Sequence, residues 1–77
     1  MKREMVVRYW TLVGPDGDVV LCQLVRTSHG FEVQCGAAGS AQVLRATSVR
    51  TVTDGFNLSE SWRASFVADG WEPGPSS

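Results

Sequence analysis

The stretch TVTDGFNLSESWRASFVADGW, residues 51–71, decides the fold. Thr51 and Asp54 have the spacing of a capping box, in which an N-cap hydroxyl accepts a hydrogen bond from the backbone three residues later. At the other end, Gly70 suits the left-handed position that closes a helix, and Trp71 can fold back on Phe66. The stretch therefore predicts one helix of about eighteen residues, a normal length for a globular protein.

The predicted helix is amphipathic. At about 100° per residue, its apolar and small side chains fall on one broad arc. That arc contains Val52, Gly55, Phe56, Leu58, Ser59, Trp62, Phe66 and Val67. Gly55 and Ser59 lie in the middle of the arc, where small side chains would let the helix approach a sheet closely.

The chain before the helix predicts an antiparallel β-meander. Its strand segments are rich in β-branched and aromatic residues or alternate between apolar and polar, and Gly-Pro-Asp-Gly and Thr-Ser-His-Gly are turn sequences. The expected strands are 5–13, 19–26, 31–35 and, shorter, 43–47. We therefore expect an α+β fold, with a three- to four-stranded antiparallel β-meander and one C-terminal α-helix packed on one face.

Length and composition indicate a single small domain. The 77 residues are 43% apolar and 19% charged, so a core is available. Residues 1–71 are the expected domain, and 72–77, rich in proline, glycine and serine, are an expected flexible tail. No run of residues is apolar enough for a membrane span or a secretion signal, and we therefore expect a cytoplasmic protein with no membrane partner.

The sequence predicts no enzyme. Its only histidine, His29, lies at a predicted hairpin tip, and Cys22 is seven residues away, roughly 20 Å along an extended strand. Neither a cysteine–histidine pair nor a zinc site forms at that spacing. We expect no catalytic residue, no metal and no cofactor, and we expect Cys22 and Cys35 to be free thiols, although one strand register would let them bridge.

The pairing register decides which sheet face the helix covers, because a slip of one residue exchanges the faces. A three-residue loop at 15–17 pairs Trp10 with Cys22. A four-residue loop at 27–30 then sets Cys22 opposite Cys35. A three-residue loop at 28–30 would move Phe31 and its neighbours to the other face. We favour the first register, with Trp10, Leu12, Leu24, Phe31 and Val33 in one core.

Both faces of the first two strands carry apolar residues, and one helix can cover only one face. An exposed apolar surface usually marks an interface. We therefore predict a non-catalytic interaction module that self-associates as a homodimer or docks on a protein partner, through an apolar sheet face or a strand edge. The candidate contact residues are Val7, Tyr9, Leu21 and Val25, or Trp10 and Leu12 in the other register.

Nucleic-acid binding is the alternative function. Tyr9 and Trp10 could stack on bases if they were exposed on the sheet, and Arg45 and Arg50 could contact phosphates. The net charge is −1 and the acidic residues are interspersed among the arginines. Because this charge distribution creates no basic surface, we expect a protein partner rather than a nucleic acid.

Overall fold

The computed structural model describes residues 4–37 and 43–74, which form one sheet and one helix. The elements are β1 (Glu4–Val13), β2 (Val19–Thr27), β3 (Gly30–Ala37), β4 (Val43–Val49), α1 (Val52–Ala68) and β5 (Glu72–Pro73). The sheet is antiparallel with strand order β4-β3-β2-β1-β5, and α1 packs on one face. The predicted α+β class and meander order are confirmed, with one more strand than expected.

The favoured register is the observed one. Trp10 pairs with Cys22 across β1 and β2, and Cys22 pairs with Cys35 across β2 and β3. Two glycines allow the turns, since Gly17 and Gly30 have positive φ values of 86° and 131°, which side chains with a Cβ rarely adopt. The turn sequences therefore place the residues of the predicted core on the face that the helix covers.

The prediction that side chains along β1 alternate strictly between the two faces of the sheet is wrong. The pairing of β1 with β2 shifts twice, between Met5 and Val7 and between Arg8 and Trp10. Each bulge adds one residue without a partner, so the side chains that follow change face. Val7 pairs with Leu24 on the helix-covered face as a result, although a plain count of two residues places it on the opposite face.

The core lies between α1 and the middle strands. Its buried members are Val20, Cys22, Leu24, Val33, Cys35 and Trp62. As the sequence predicts, α1 approaches most closely at its small residues, since Gly55 and Ser59 are both buried. A Cβ atom built on Gly55 would lie 2.7 Å from Tyr9 Oη and 2.9 Å from Leu24 Cδ1. The observed packing therefore requires glycine at position 55, where a side chain larger than a hydrogen atom does not fit.

Both predicted ends of the helix are confirmed. Thr51 Oγ1 accepts a hydrogen bond of 3.0 Å from the backbone N–H of Asp54. At the other end, the N–H of Gly70 donates to the carbonyl of Val67, and the N–H of Trp71 donates to that of Phe66, both at 3.1 Å. These two bonds form a Schellman motif. It turns the chain so that the Trp71 ring packs on Phe66, 5.1 Å between ring centroids.

The chain after Trp71 continues the sheet where the sequence suggests a flexible tail. Glu72 and Pro73 pair with Val13 and Leu12 of β1 as the fifth strand, and the N–H of Gly74 donates to the carbonyl of Thr11 at 2.8 Å. The helix stop brings these residues to the edge of β1, and backbone pairing holds them there. The expected tail residues 75–77 lie outside the described part of the chain.

We expect Gly55→Ala to destabilise the protein. Alanine favours a helix by about 1 kcal/mol over glycine, but overpacking a core typically costs about 1–3 kcal/mol. Because the added methyl would press on both Tyr9 and Leu24, we expect an overpacking cost of about 2–3 kcal/mol and a net fall in the free energy of unfolding in urea of about 1–2 kcal/mol. Ser61→Ala, on the exposed side of α1, is the control and should change it by less than about 0.5 kcal/mol. Equal stability of the glycine and alanine proteins would contradict close packing at Gly55.

Candidate interaction surface

The four predicted contact residues do not share one surface. Tyr9 and Val7 lie on the side of α1, where the Tyr9 hydroxyl donates to the Val52 carbonyl at 3.1 Å and Val7 pairs with Leu24. Leu21 and Val25 lie on the opposite face of β2. Leu21 is half-buried, and Val25 is only 4% exposed. The bulge at Tyr9 separates these residues, because it brings Tyr9 to the helix side and exchanges the faces of Val7 and Arg8.

The face without the helix is less apolar than the sequence suggests. Its middle carries Gln23 of β2 opposite Gln34 of β3. Gln34 is buried, and its side-chain amide donates a hydrogen bond of 2.6 Å to Glu32 Oε1. A polar centre with its own hydrogen bonds gains little from burial against a partner, so this face is a weaker docking surface than a wholly apolar one.

Exposed apolar side chains concentrate near the edges of the sheet and on the helix. The large ones are Met5, Val6, Val7, Val43, Leu44, Val52, Phe56 and Val67. Among them, Phe56 packs edge-on against the Tyr9 ring, with centroids 6.0 Å apart. Val43 and Leu44 begin β4, where they are 46% and 54% exposed. The question for docking is therefore which edge of the sheet is open.

The two edges of the sheet differ. The outer edge of β1 is covered by β5 at Leu12 and Val13, and two bulges distort the rest. On the other side, β4 is the outermost strand of the described sheet and pairs there with β3 alone. Six of its seven residues are exposed, and its pairing with β3 contains one irregularity, at Leu44. The sequence predicts a strand edge as a possible contact surface but does not indicate which strand, because strand order depends on contacts between residues that are far apart in the chain.

The arrangement lends little support to the nucleic-acid alternative. Tyr9 and Trp10 face α1, and Trp10 Nε1 donates to the Ser59 carbonyl at 3.0 Å, so neither ring offers a stacking platform on the open face. The Arg45 guanidinium lies 5.4 Å from the centroid of the Trp62 ring. Arg50 lies in the exposed turn that leads into α1. The two arginines therefore lie in different environments.

The cysteines are buried packing residues. Cys22 and Cys35 are free thiols that sit opposite each other, both fully buried. Burial, reinforced by Cys35, raises the pKa of the Cys22 thiol to about 12. Burial also raises the pKa of Cys35, although Arg45 partly opposes this. Both thiols keep their protons at neutral pH, whereas nucleophilic attack requires the thiolate.

Other binding chemistry has little to build on in the residues that the structure describes. They contain no cluster of three or more potential metal-ligating side chains, and α1 is too short and too polar to cross a bilayer. A cleft of about 390 Å³ lies at the C-terminal end of α1, between Leu44, Phe66 and Trp71. Among the described residues that line it, Asp18 is the one charged side chain, whereas a ligand site usually has several convergent polar groups.

We expect stability to fall as the pH rises from about 9 to about 12. An unfolded cysteine ionises near pH 9, whereas folded Cys22 holds its proton up to about pH 12. The unfolded state therefore binds fewer protons in this window, and the free energy of unfolding decreases by up to about 1.4 kcal/mol per pH unit for this group. Urea unfolding of the wild type at several pH values measures the slope.

Cys22→Ala should show a shallower slope over the same window, because the variant lacks the buried thiol. Val20→Ala is the matched control, since Val20 is also buried in this core but does not titrate. It should lower stability while keeping the wild-type slope. Identical slopes for the wild type and Cys22→Ala would contradict the prediction.

Comparisons with known proteins assign no function to this chain. No protein-family model, curated protein or solved structure matches it. The outer edge of β4, which has no neighbour in the described sheet, is the surface whose geometry and chemistry best suit binding.

Proposed function

We propose that this protein is a non-catalytic interaction module, which docks a protein partner by adding a strand to the outer edge of β4. One observation carries the proposal: β4 is an outermost strand of the described sheet, with six of its seven residues exposed, and the opposite edge is blunted. Backbone N–H and C=O groups at such an edge are a ready template for another strand. Strand addition is a common mode of peptide recognition.

The side chains of β4 favour docking as well. Edge strands that must stay single usually carry lysine, proline or inward-pointing charge. β4 has neither lysine nor proline, and its one inward-pointing charge, Arg45, is held against the Trp62 ring. Val43 and Leu44 provide exposed apolar contacts at one end. Backbone pairing would supply affinity, and these two side chains would supply selectivity.

The edge of β1 is less suited to this role. Bulges twist an edge strand away from regular pairing, and β1 has them at Val6 and Tyr9. Backbone pairing with Glu72–Gly74 already occupies its other half, at Thr11–Val13. A partner strand would meet an irregular row of backbone groups there, whereas β4 pairs regularly with β3 from Arg45 to Val49.

We expect Leu44→Asp to weaken partner binding at least about tenfold, because a charge would replace an exposed apolar contact on β4. Partners captured from a cell lysate on immobilised wild-type chain should be lost on the variant, as measured by quantitative mass spectrometry. Val52→Asp is the matched control. Val52 is exposed to a similar degree but begins α1, where a negative charge is tolerated.

Hydrogen exchange on the wild-type complex gives the second measurement. Amides of β4 should gain protection when the partner binds, and amides in the outer half of α1 should not. Partners that bind both aspartate variants equally, with no change in exchange at β4, would contradict docking at this edge.

A further inference from the structure

We infer that the partner strand on β4 carries an aspartate or glutamate, whose carboxylate binds the Arg45 guanidinium on the helix side of the sheet. The inference rests on the proposed function and deepens it, because it states the chemistry of the partner. Arg45 is the first residue of the stretch that pairs regularly with β3, which ends at Val49. The occupant of this edge is therefore an extended protein segment with an acidic side chain at one fixed position.

A hydrogen bond in the first hairpin fixes the direction of the backbone groups along the sheet. In an antiparallel pair, opposed residues alternate between those that exchange both backbone hydrogen bonds and those that exchange none. The Gly14 N–H donates to the Asp18 carbonyl at 2.8 Å, just outside the Val13–Val19 pair. Val13 and Val19 are therefore a non-hydrogen-bonded pair, and the two kinds of position alternate along β2 from there.

The same alternation extends through β3 to the regular part of β4, because these strands pair without a register shift as far as Arg45. A strand residue directs its N–H and C=O to the same side, so a residue that bonds one neighbour leaves nothing for the other. The N–H and C=O groups of Arg45, Thr47 and Val49 therefore bond β3, and those of Ala46 and Ser48 face outward. A partner strand would form its backbone hydrogen bonds with these last two residues.

This geometry brings one partner side chain close to Arg45. In an antiparallel partner that bonds Ala46, the residue opposite Arg45 belongs to a non-hydrogen-bonded pair. The Cα atoms of such a pair are only about 4.5 Å apart, and its side chains are closer than those of a hydrogen-bonded pair. Opposite charges at directly paired positions stabilise two strands, so this position of the partner selects for a carboxylate.

Arg45 is a positioned cation that lacks a carboxylate in the described part of the chain. Its side chain forms no ion pair with residues 4–37 or 43–74. The guanidinium lies 5.4 Å from the centroid of the Trp62 ring, which holds it on the helix side. A guanidinium has five N–H donors in a rigid fork that matches a carboxylate, and contact with a ring does not consume them.

Charge complementarity favours an acidic partner over a neutral or basic one. Residues 43–50 contain two arginines and no acidic residue, so a basic side chain opposite Arg45 would be repelled. A strand laid along β4 also removes water from the guanidinium. A neutral neighbour would leave that charge partly desolvated without a partner, which costs free energy, whereas a carboxylate offsets the loss of water.

Selection from a phage-displayed library of random ten-residue peptides tests the chemistry of the partner. Peptides retained on immobilised wild-type chain should share one acidic position within a run of β-branched residues. Arg45→Glu should select lysine or arginine at that position instead. Arg50→Glu is the matched control, because Arg50 lies in the exposed turn after β4, and it should keep the acidic preference. Circular dichroism verifies that both variants are folded.

A synthetic peptide from the wild-type selection gives the energetic test. Replacing its acidic residue with the corresponding amide should weaken binding to the wild type roughly three- to tenfold, the range from an exposed ion pair to a well-aligned one. Both peptides should bind Arg45→Gln alike, because a double-mutant cycle leaves no coupling once either partner is removed. Hydrogen exchange by NMR should show new protection at the amides of Ala46 and Ser48, and little change at Thr47, which already bonds β3.

The outcomes separate this inference from the docking on which it rests. Peptides that protect Ala46 and Ser48 without an acidic preference, or with one that persists in Arg45→Glu, overturn the inference and leave docking at β4 intact. Failure to select any peptide, or selected peptides that leave these two amides unprotected, overturns the inference and contradicts strand addition as well. An acidic preference that reverses in Arg45→Glu and persists in Arg50→Glu, with protection at both amides, supports it.

Discussion

The close approach of α1 to the sheet at Gly55 and Ser59 is the constraint on which the rest of the structure depends. Because no bulky side chain separates the helix from the sheet there, Leu24 and Val33 pack directly under the helix backbone. Two aromatic side chains of β1 then donate hydrogen bonds to carbonyls of α1, Tyr9 to Val52 and Trp10 to Ser59. The helix is therefore held by close packing at its small residues and by hydrogen bonds from β1 along one side. The hydrogen bonds add to the limited apolar burial that a chain of 77 residues with a small core provides.

The sequence predicts those features that depend on local chemistry. The Thr51 cap, the Gly70 stop and the two glycine turns each follow from a few neighbouring residues, and the turns in turn set the register that pairs Trp10 with Cys22. The bulges of β1 could not be predicted in this way. Their residues, Val6 and Tyr9, are ordinary strand formers, so no local signal in the sequence marks either bulge.

The candidate contact residues also show the difference between what local sequence predicts and what depends on the whole fold. Counting alternate residues placed Val7 and Tyr9 with Leu21 and Val25, but bulges move the first two to the helix side. The apolar excess noted in the sequence is real. Much of it lies at strand edges and on the helix rather than across the open face, whose centre is a hydrogen-bonded pair of polar side chains, Glu32 and Gln34. Which strand forms an edge is a property of the whole topology and has no local signature.

The pairing of β5 with β1 has a consequence for the synthesis of the chain. β1 acquires its outer neighbour from residues 72–74, and Pro73 lies 61 residues after its partner Leu12 in the chain. The core face of the sheet is covered only when α1, which begins at Val52, packs on it. The meander can form early through local hairpins, but its hydrophobic face stays uncovered until α1 has been synthesised. Completion of the fold therefore follows the synthesis of α1 and β5 and depends on contacts of high sequence separation.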